Sequence, residues 1–257
     1  MHADVSLSLS TLFGFLLVLA RVGGAFIFVP IPGIRTAPSV PRIVLALSLT
    51  FLLFPQWPRV DAGNLGIGAL TATLLTEAVL GMAIGLGVAF VLEAFTLAAQ
   101  VLGLQAGYAY ASTVDPTTQA DTGILLVFAQ LTAGILFFAL GMHAEVVRIF
   151  ARSLTVYPPG GFALSRSLAI GIGELGAAMF STALRLSLPV VGLLVLMDLA
   201  LALLGRVNAQ LQMLMLAFPL KMLVTLALLS MMAVMFPAVF RNLNGRMLMV
   251  LRQVMGI

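Results

Sequence analysis

Few side chains in this 257-residue chain could do chemistry, and most of them interrupt apolar runs. The acids Glu77, Glu93, Glu174 and Asp198 do so, as do the cations Arg21 and Arg185. Ionisable groups in such surroundings are costly, and they mark proton or substrate relays, paired charges or contacts between helices. Arg21 has two readings: a long side chain reaching a helix end, or a buried partner for an acid such as Glu77 or Glu93. On one straight helix Glu77 and Glu93 would lie ~24 Å apart, which excludes a catalytic pair. Glu174 and Arg185 share a face at ~16 Å, so each needs a partner on another helix. Hydrolysis needs a nucleophile with a base in reach. His143 stands beside Glu145 and Arg148 at a helix end and reads as an interfacial polar residue, and no glycine-flanked serine motif accompanies it. Two histidines, no cysteine and scattered acids make no metal set, and the glycine-rich stretches lack the lysine-serine ending of a phosphate loop. No catalytic residue, metal or cofactor is therefore expected.

The polar group that stands out is Ala98–Pro116, where amides, small residues and aromatics sit together. Ala99, Gly103, Gly107 and Ala111 recur every fourth position and form a stripe along which another backbone can approach. Gln100 and Gln105 leave the helix on other faces, and each calls for a hydrogen-bonding partner in an apolar setting. Asp115-Pro116 is expected to end the helix, because proline disfavours helical geometry in the residue before it. The following loop, Tyr110–Gly123, carries Ser112, Thr113, Asp115, Pro116, Thr117, Thr118, Gln119, Asp121 and Thr122, with no positive charge. A tightly packed helix running into this polar loop is the expected working part.

Composition says what must hold these residues. Hydrophobic residues make up 61% of the chain, charged residues 9%, and the mean hydropathy is +1.16. Soluble domains have about half apolar and about a quarter charged residues, so the fold expected is an all-α integral membrane protein of long apolar helices and helical hairpins. The net charge of +4 comes from scattered residues, with no basic run interleaved with aromatics, so nucleic acid is excluded as a partner. Met1–Ser10, with Asp4 and no positive start, is unlike a signal peptide.

Leu9–Pro30 is long enough to span, whereas Ile43–Phe54 is short. Trp57 suits a membrane interface. Leu65–Val91 carries a second small-residue stripe, Gly81, Gly85 and Ala89. Between Phe90 and Thr96 either a tight hairpin forms or one long helix continues towards Gly107. Ile124–Leu140 is the next span. Leu168–Leu204 is too long for one span, and Pro189 can kink or divide it. Leu211–Val239 is the last long apolar segment, broken by Pro219, and the turn from Gly205 to Gln210 makes a hairpin of the two. Arginines at positions 35 and 42, and again between Gly141 and Arg166, place those loops inside, with the arginine-free Tyr110–Gly123 loop outside. No fixed-period repeat is visible.

Gln100-x-x-Gly103-Leu104-Gln105-x-Gly107 followed by Asp115-Pro116 resembles the family of the flagellar biosynthetic protein FliR and its injectisome counterparts. Gly141-Met142-His143, then Pro158-Pro159-Gly160, is similar to that family's glycine-histidine junction. Leu204-Gly205-Arg206 with Gln210, then Phe218-Pro219-Leu220-Lys221, resembles its C-terminal signature, and the proline-leucine-lysine ending leans to the flagellar branch. Asn208-Ala209-Gln210 departs from the family's proline-glutamine pair, and Ala217 replaces its glycine. The resemblance implies a non-enzymatic subunit of the type III export gate. Its N-terminal portion, residues 1–165, would be FliP-like and its C-terminal portion, residues 166–257, a FliQ-like hairpin. Implied partners are FliP, FliQ, FlhB, unfolded flagellar export substrates and membrane lipid, in the bacterial inner membrane at the flagellar basal body. Tyr110–Gly123 would be the plug of a closed pore, and Glu77, Glu174, Arg185 and Asp198 would be intersubunit partners, pore-facing groups or internal ion pairs. The alternative is an ion or small-molecule transporter with Glu77, Glu93, Glu174 and Asp198 as a relay.

Overall fold

An apolar chain in a membrane must satisfy its backbone internally, which favours helices wherever the sequence permits them. The computed structural model describes residues 9–29, 39–58, 66–108, 123–161, 165–207 and 213–255, and every long element among them is helical. These are α1 (Leu9–Phe28), α2 (Ser39–Leu52), α3 (Ile67–Ala106), α4 (Ile124–Ala139), α5 (Met142–Val156), α6 (Arg166–Val207), α7 (Met213–Met232) and α8 (Phe236–Met255). Short 3-10 turns at Phe54–Gln56 and Ala233–Met235 follow α2 and α7.

With no glycine or proline between Phe90 and Thr96 to stop it, α3 is one helix of 40 residues, and no hairpin forms there. It ends at Ala106, earlier than Asp115-Pro116, because Gly107 takes a left-handed φ of 85° that closes the helix. Pro189 does not divide α6, which runs 42 residues through it, and Pro219 lies inside α7 in the same way. Gly141, at φ 72°, separates α4 from α5, and the two helices are bent by 63°. Among the described residues four helices are long and apolar enough to cross a membrane, or five if the bent pair is one span.

The chain forms two compact units. One comprises Met1–Phe90, Gly141–Gly176 and Asn244–Ile257, and the other Val91–Leu140 and Ala177–Leu243. In the first, α1 lies directly on α3. A Cβ placed on Gly81 or Gly85 would collide with the backbone carbonyl of Arg21 or Ala25, and one on Gly24 with that of Ala78. The second small-residue stripe is thus the contact that lets two backbones meet. Phe15, Phe51 and Trp57 cluster beside it with centroids 5.2–6.2 Å apart, and the Trp57 indole donates to the Thr50 carbonyl at 3.0 Å. Leu80, Ile84, Phe150, Met247 and Leu251 form its core.

In the second unit Leu102, Ala106, Leu125, Val190 and Leu194 are buried together, and Phe95 packs on Phe236 and Phe240 at 5.8 Å each. Leucines at 184, 188, 196, 199, 203, 223 and 226 are exposed along α6 and α7. A long apolar face with no cover among the described residues belongs against lipid or another subunit.

Candidate functional site

Two polar clusters, one in each unit, gather Arg21, Glu77 and Asp198. The first settles the reading of Arg21. Its side chain is fully buried, and its Nε donates to Glu77 Oε2 at 2.6 Å. Its Nη1 donates to Ser153 Oγ at 3.1 Å and its Nη2 to the Tyr157 carbonyl at 2.9 Å. Glu77, also fully buried, accepts from the Gly160 amide at 3.0 Å on its other oxygen. Charges this enclosed persist only when paired and hydrogen-bonded, and here both ends of the pair are occupied. Arg21 and Glu77 therefore join α1, α3 and α5 into one rigid block. Glu77 is an internal partner, neither a pore-facing nor an intersubunit group.

The second cluster lies at the C-terminal end of α3. Gln105 Nε2 donates to Asp198 Oδ2 at 3.3 Å, and the Lys221 ammonium bonds the other carboxylate oxygen. Three helices, α3, α6 and α7, thus converge on one carboxylate. Lys221 is 12% exposed and Asp198 43%, so this pair is half in water. Next to it, Gly107 packs on the Phe218 ring, where an added Cβ would lie 2.5 Å from Cδ1. The Tyr108 hydroxyl donates to the Met222 carbonyl at 3.2 Å, and burial raises the pKa of its phenol, keeping it a neutral donor. Gln105 and Gly107 from one motif and Phe218 and Lys221 from another, more than a hundred residues apart, meet at the point from which residues 109–122 depart.

The other expected site residues divide as follows. Ala99 is buried in the second unit's core, whereas Gln100 is exposed. Gly103 is half-buried, with nothing among the described residues within 4 Å of an added Cβ. Arg206 and Pro219 are exposed. Tyr110, Ser112, Thr113, Asp115, Pro116, Thr117, Thr118, Gln119, Asp121 and Gln210 lie outside the described residues. The relay of four acids is not assembled. Glu77 and Asp198 are engaged in ion pairs within the chain, and Glu93 and Glu174 are exposed. Ser153, Tyr157 and Gly160 complete the Arg21 site; Gly160 stands in the Pro158-Pro159-Gly160 segment, but Tyr157 and Gly160 contribute only backbone atoms, which no side-chain pattern marks. Among the described residues no three His, Asp or Glu side chains are grouped so as to hold a metal ion.

At least four helices of spanning length, with charges tied into ion pairs between them, define a multi-pass membrane protein. The chain belongs to the bacterial export proteins, family 1, whose family model matches residues 12–247. Among curated proteins it is 29% identical to the flagellar biosynthetic protein FliR of Escherichia coli (strain K12) over 212 residues, 82% of this chain and 81% of that one. It is 27% identical to the protein of the same name from Bacillus subtilis (strain 168) over 250 residues, 95% of each. The Caulobacter vibrioides counterpart is 24% identical over 216 residues, 83% of this chain and 86% of its own length.

Proposed function

We propose that the chain is a non-enzymatic subunit of the flagellar type III export gate, and that Tyr110–Gly123 forms a plug closing a protein-conducting pore. It would sit at the basal body in the bacterial inner membrane and pass unfolded flagellar substrates. Its companions would be FliP, FliQ and FlhB. In this reading residues 1–165 are the FliP-like part and residues 166–257 the FliQ-like hairpin. The observation that carries the proposal is the convergence of Gln105, Gly107, Phe218 and Lys221 at the foot of that loop. A loop that must shut a conduit needs a fixed base, and α3, α6 and α7 supply one there. Membership of an export family and likeness to FliR proteins along most of the chain support the same role. The exposed apolar lengths of α6 and α7 offer the surface on which companion chains would pack.

Deleting Thr113–Gln119 is expected to make the assembled gate leak ions, read as conductance across membranes that contain it. A tight membrane with the complex intact would overturn the plug. The transporter alternative loses support, because two of its four carboxylates are already held by Arg21 and Lys221.

A further inference from the structure

The last turn of α8 and the middle of α5 enclose a cavity of about 190 Å³ that takes no part in the plug or its base. Arg148, Arg152 and Arg252 line it together with Glu145, over a buried apolar floor that includes Ile149 and Leu251. Glu145 bonds Arg148, whereas Arg152 and Arg252 make no ion pair among the described residues. Two exposed guanidinium groups therefore face one small cavity with a net positive charge. Guanidinium groups are planar donor forks, and carboxylate and phosphate are the groups that match them bidentately.

The helix itself chooses between those two. Arg241, Asn242, Arg246, Arg252 and Gln253 are all exposed on α8, and Met249 is its one exposed large apolar side chain among the described residues. That polar face runs about 18 Å along the axis at 1.5 Å per residue. A headgroup layer is only about 5–8 Å deep on each side of the hydrocarbon. Ala217–Met255 is one continuous 39-residue run, so α8 cannot lie flat in that layer while α7 crosses the bilayer. A headgroup layer therefore cannot cover this face along its length, and the part beyond it meets water or a protein neighbour, whose matching group is a carboxylate.

The geometry points to the Arg148–Arg152–Arg252 cavity as a docking site for a carboxylate-bearing segment of another protein of the export apparatus. This rests on the export-gate reading, and the test separates the two. Full-length tagged chain is produced in cells that assemble the apparatus, as wild type, as R152E/R252E and as R241E, a charge reversal on the same helix outside the cavity. The double reversal is expected to lower recovery of other apparatus proteins about tenfold, the loss of roughly one charge-assisted contact, with R241E close to wild type. Equal recovery with all three overturns the cavity. Failure of the wild type to recover any apparatus protein overturns the export-gate reading instead. A photo-crosslinker in place of Arg152 identifies the occupant in the assembled complex. An adduct on an Asp- or Glu-containing peptide supports the inference, whereas an adduct on phospholipid, or none, overturns it.

Discussion

The Arg21 and Asp198 clusters use the same chemistry, a cation on a carboxylate, for opposite ends. Arg21 and Glu77 are fully buried, and every heteroatom of the pair has a partner from α1, α3, α5 or the turn after α5. Asp198 is 43% exposed, and its two bonds come from flexible side chains, Gln105 and Lys221. A closed cluster with backbone partners can only hold. A half-wet cluster of long side chains is held less firmly, so the base of the proposed plug is the weaker of the two anchorages. Burial, more than the identity of the charges, separates the two clusters.

The sharpest way to break this contrast is Arg21→Leu. Leaving Glu77 charged and enclosed is expected to cost about 3–5 kcal/mol, seen as a large fall in the thermal midpoint of the detergent-solubilised chain. The double variant Arg21→Leu/Glu77→Leu is expected to recover much of that loss, since an apolar pair of similar volume carries no buried charge. If the double variant were as unstable as the sum of the two singles, the pair would not be coupled, and the scaffold assignment would fall.

Next in size is Gly81→Ala. The added methyl group meets the Arg21 carbonyl, a backbone atom that cannot swing aside. A loss of about 1–3 kcal/mol is expected. Gly107→Ala follows, with about 1–2 kcal/mol from forcing a side chain into the left-handed region, plus the collision with Phe218. Both are read from the same melting curves, and a Gly107→Ala chain as stable as wild type would show that this junction is looser than its geometry implies.

These variants also show where the sequence was legible. The apolar runs, the small-residue stripe at Gly81 and Gly85 and the unbroken stretch from Phe90 to Thr96 all carry their structure locally, by period and by the absence of breakers. Pro219 misled, since it does not break α7, and of the two outcomes open at Pro189 division does not occur. Pro189 and Pro219 stay inside helices because apolar surroundings penalise an unravelled backbone more than one lost hydrogen bond. Helix α8 was hidden by Arg241, Arg246 and Arg252, which make its segment look like a polar tail. Its signal was the stripe Phe236, Phe240, Leu243, Met247, Leu251 and Met255, three or four residues apart and all buried. Glu77 as the partner of Arg21 was one of two candidates, because 56 residues separate the pair and no periodicity links them. The Asp198 cluster was visible only as separate pieces, since three helices must fold before one carboxylate collects them.

Lys221→Gln tests the other side of the comparison. With Asp198 so exposed, removing the charge is expected to cost less than about 1 kcal/mol in stability. If the pair steadies the base of the plug, the same variant raises membrane conductance while the folded chain and its complex persist. Unchanged conductance would leave Lys221 a packing residue and confine gating to the loop itself.

The smallest expected effect on the fold is at Gly103, and it is the most discriminating. Gly107, one turn later on the stripe, is pressed against Phe218, whereas an added Cβ at Gly103 meets nothing within 4 Å among the described residues. Gly103→Leu therefore has room, and replacing glycine inside a helix gains up to about 0.8 kcal/mol in helix propensity. The isolated chain is expected to melt at or slightly above the wild-type temperature. Co-purification of companion subunits is expected to fail, because a small residue that no described part of its own chain covers is a place where another helix can approach. Loss of the complex from a chain that melts normally would locate a subunit contact at Gly103. Recovery of an intact complex would show that the stripe serves this chain alone, and that its open position faces lipid.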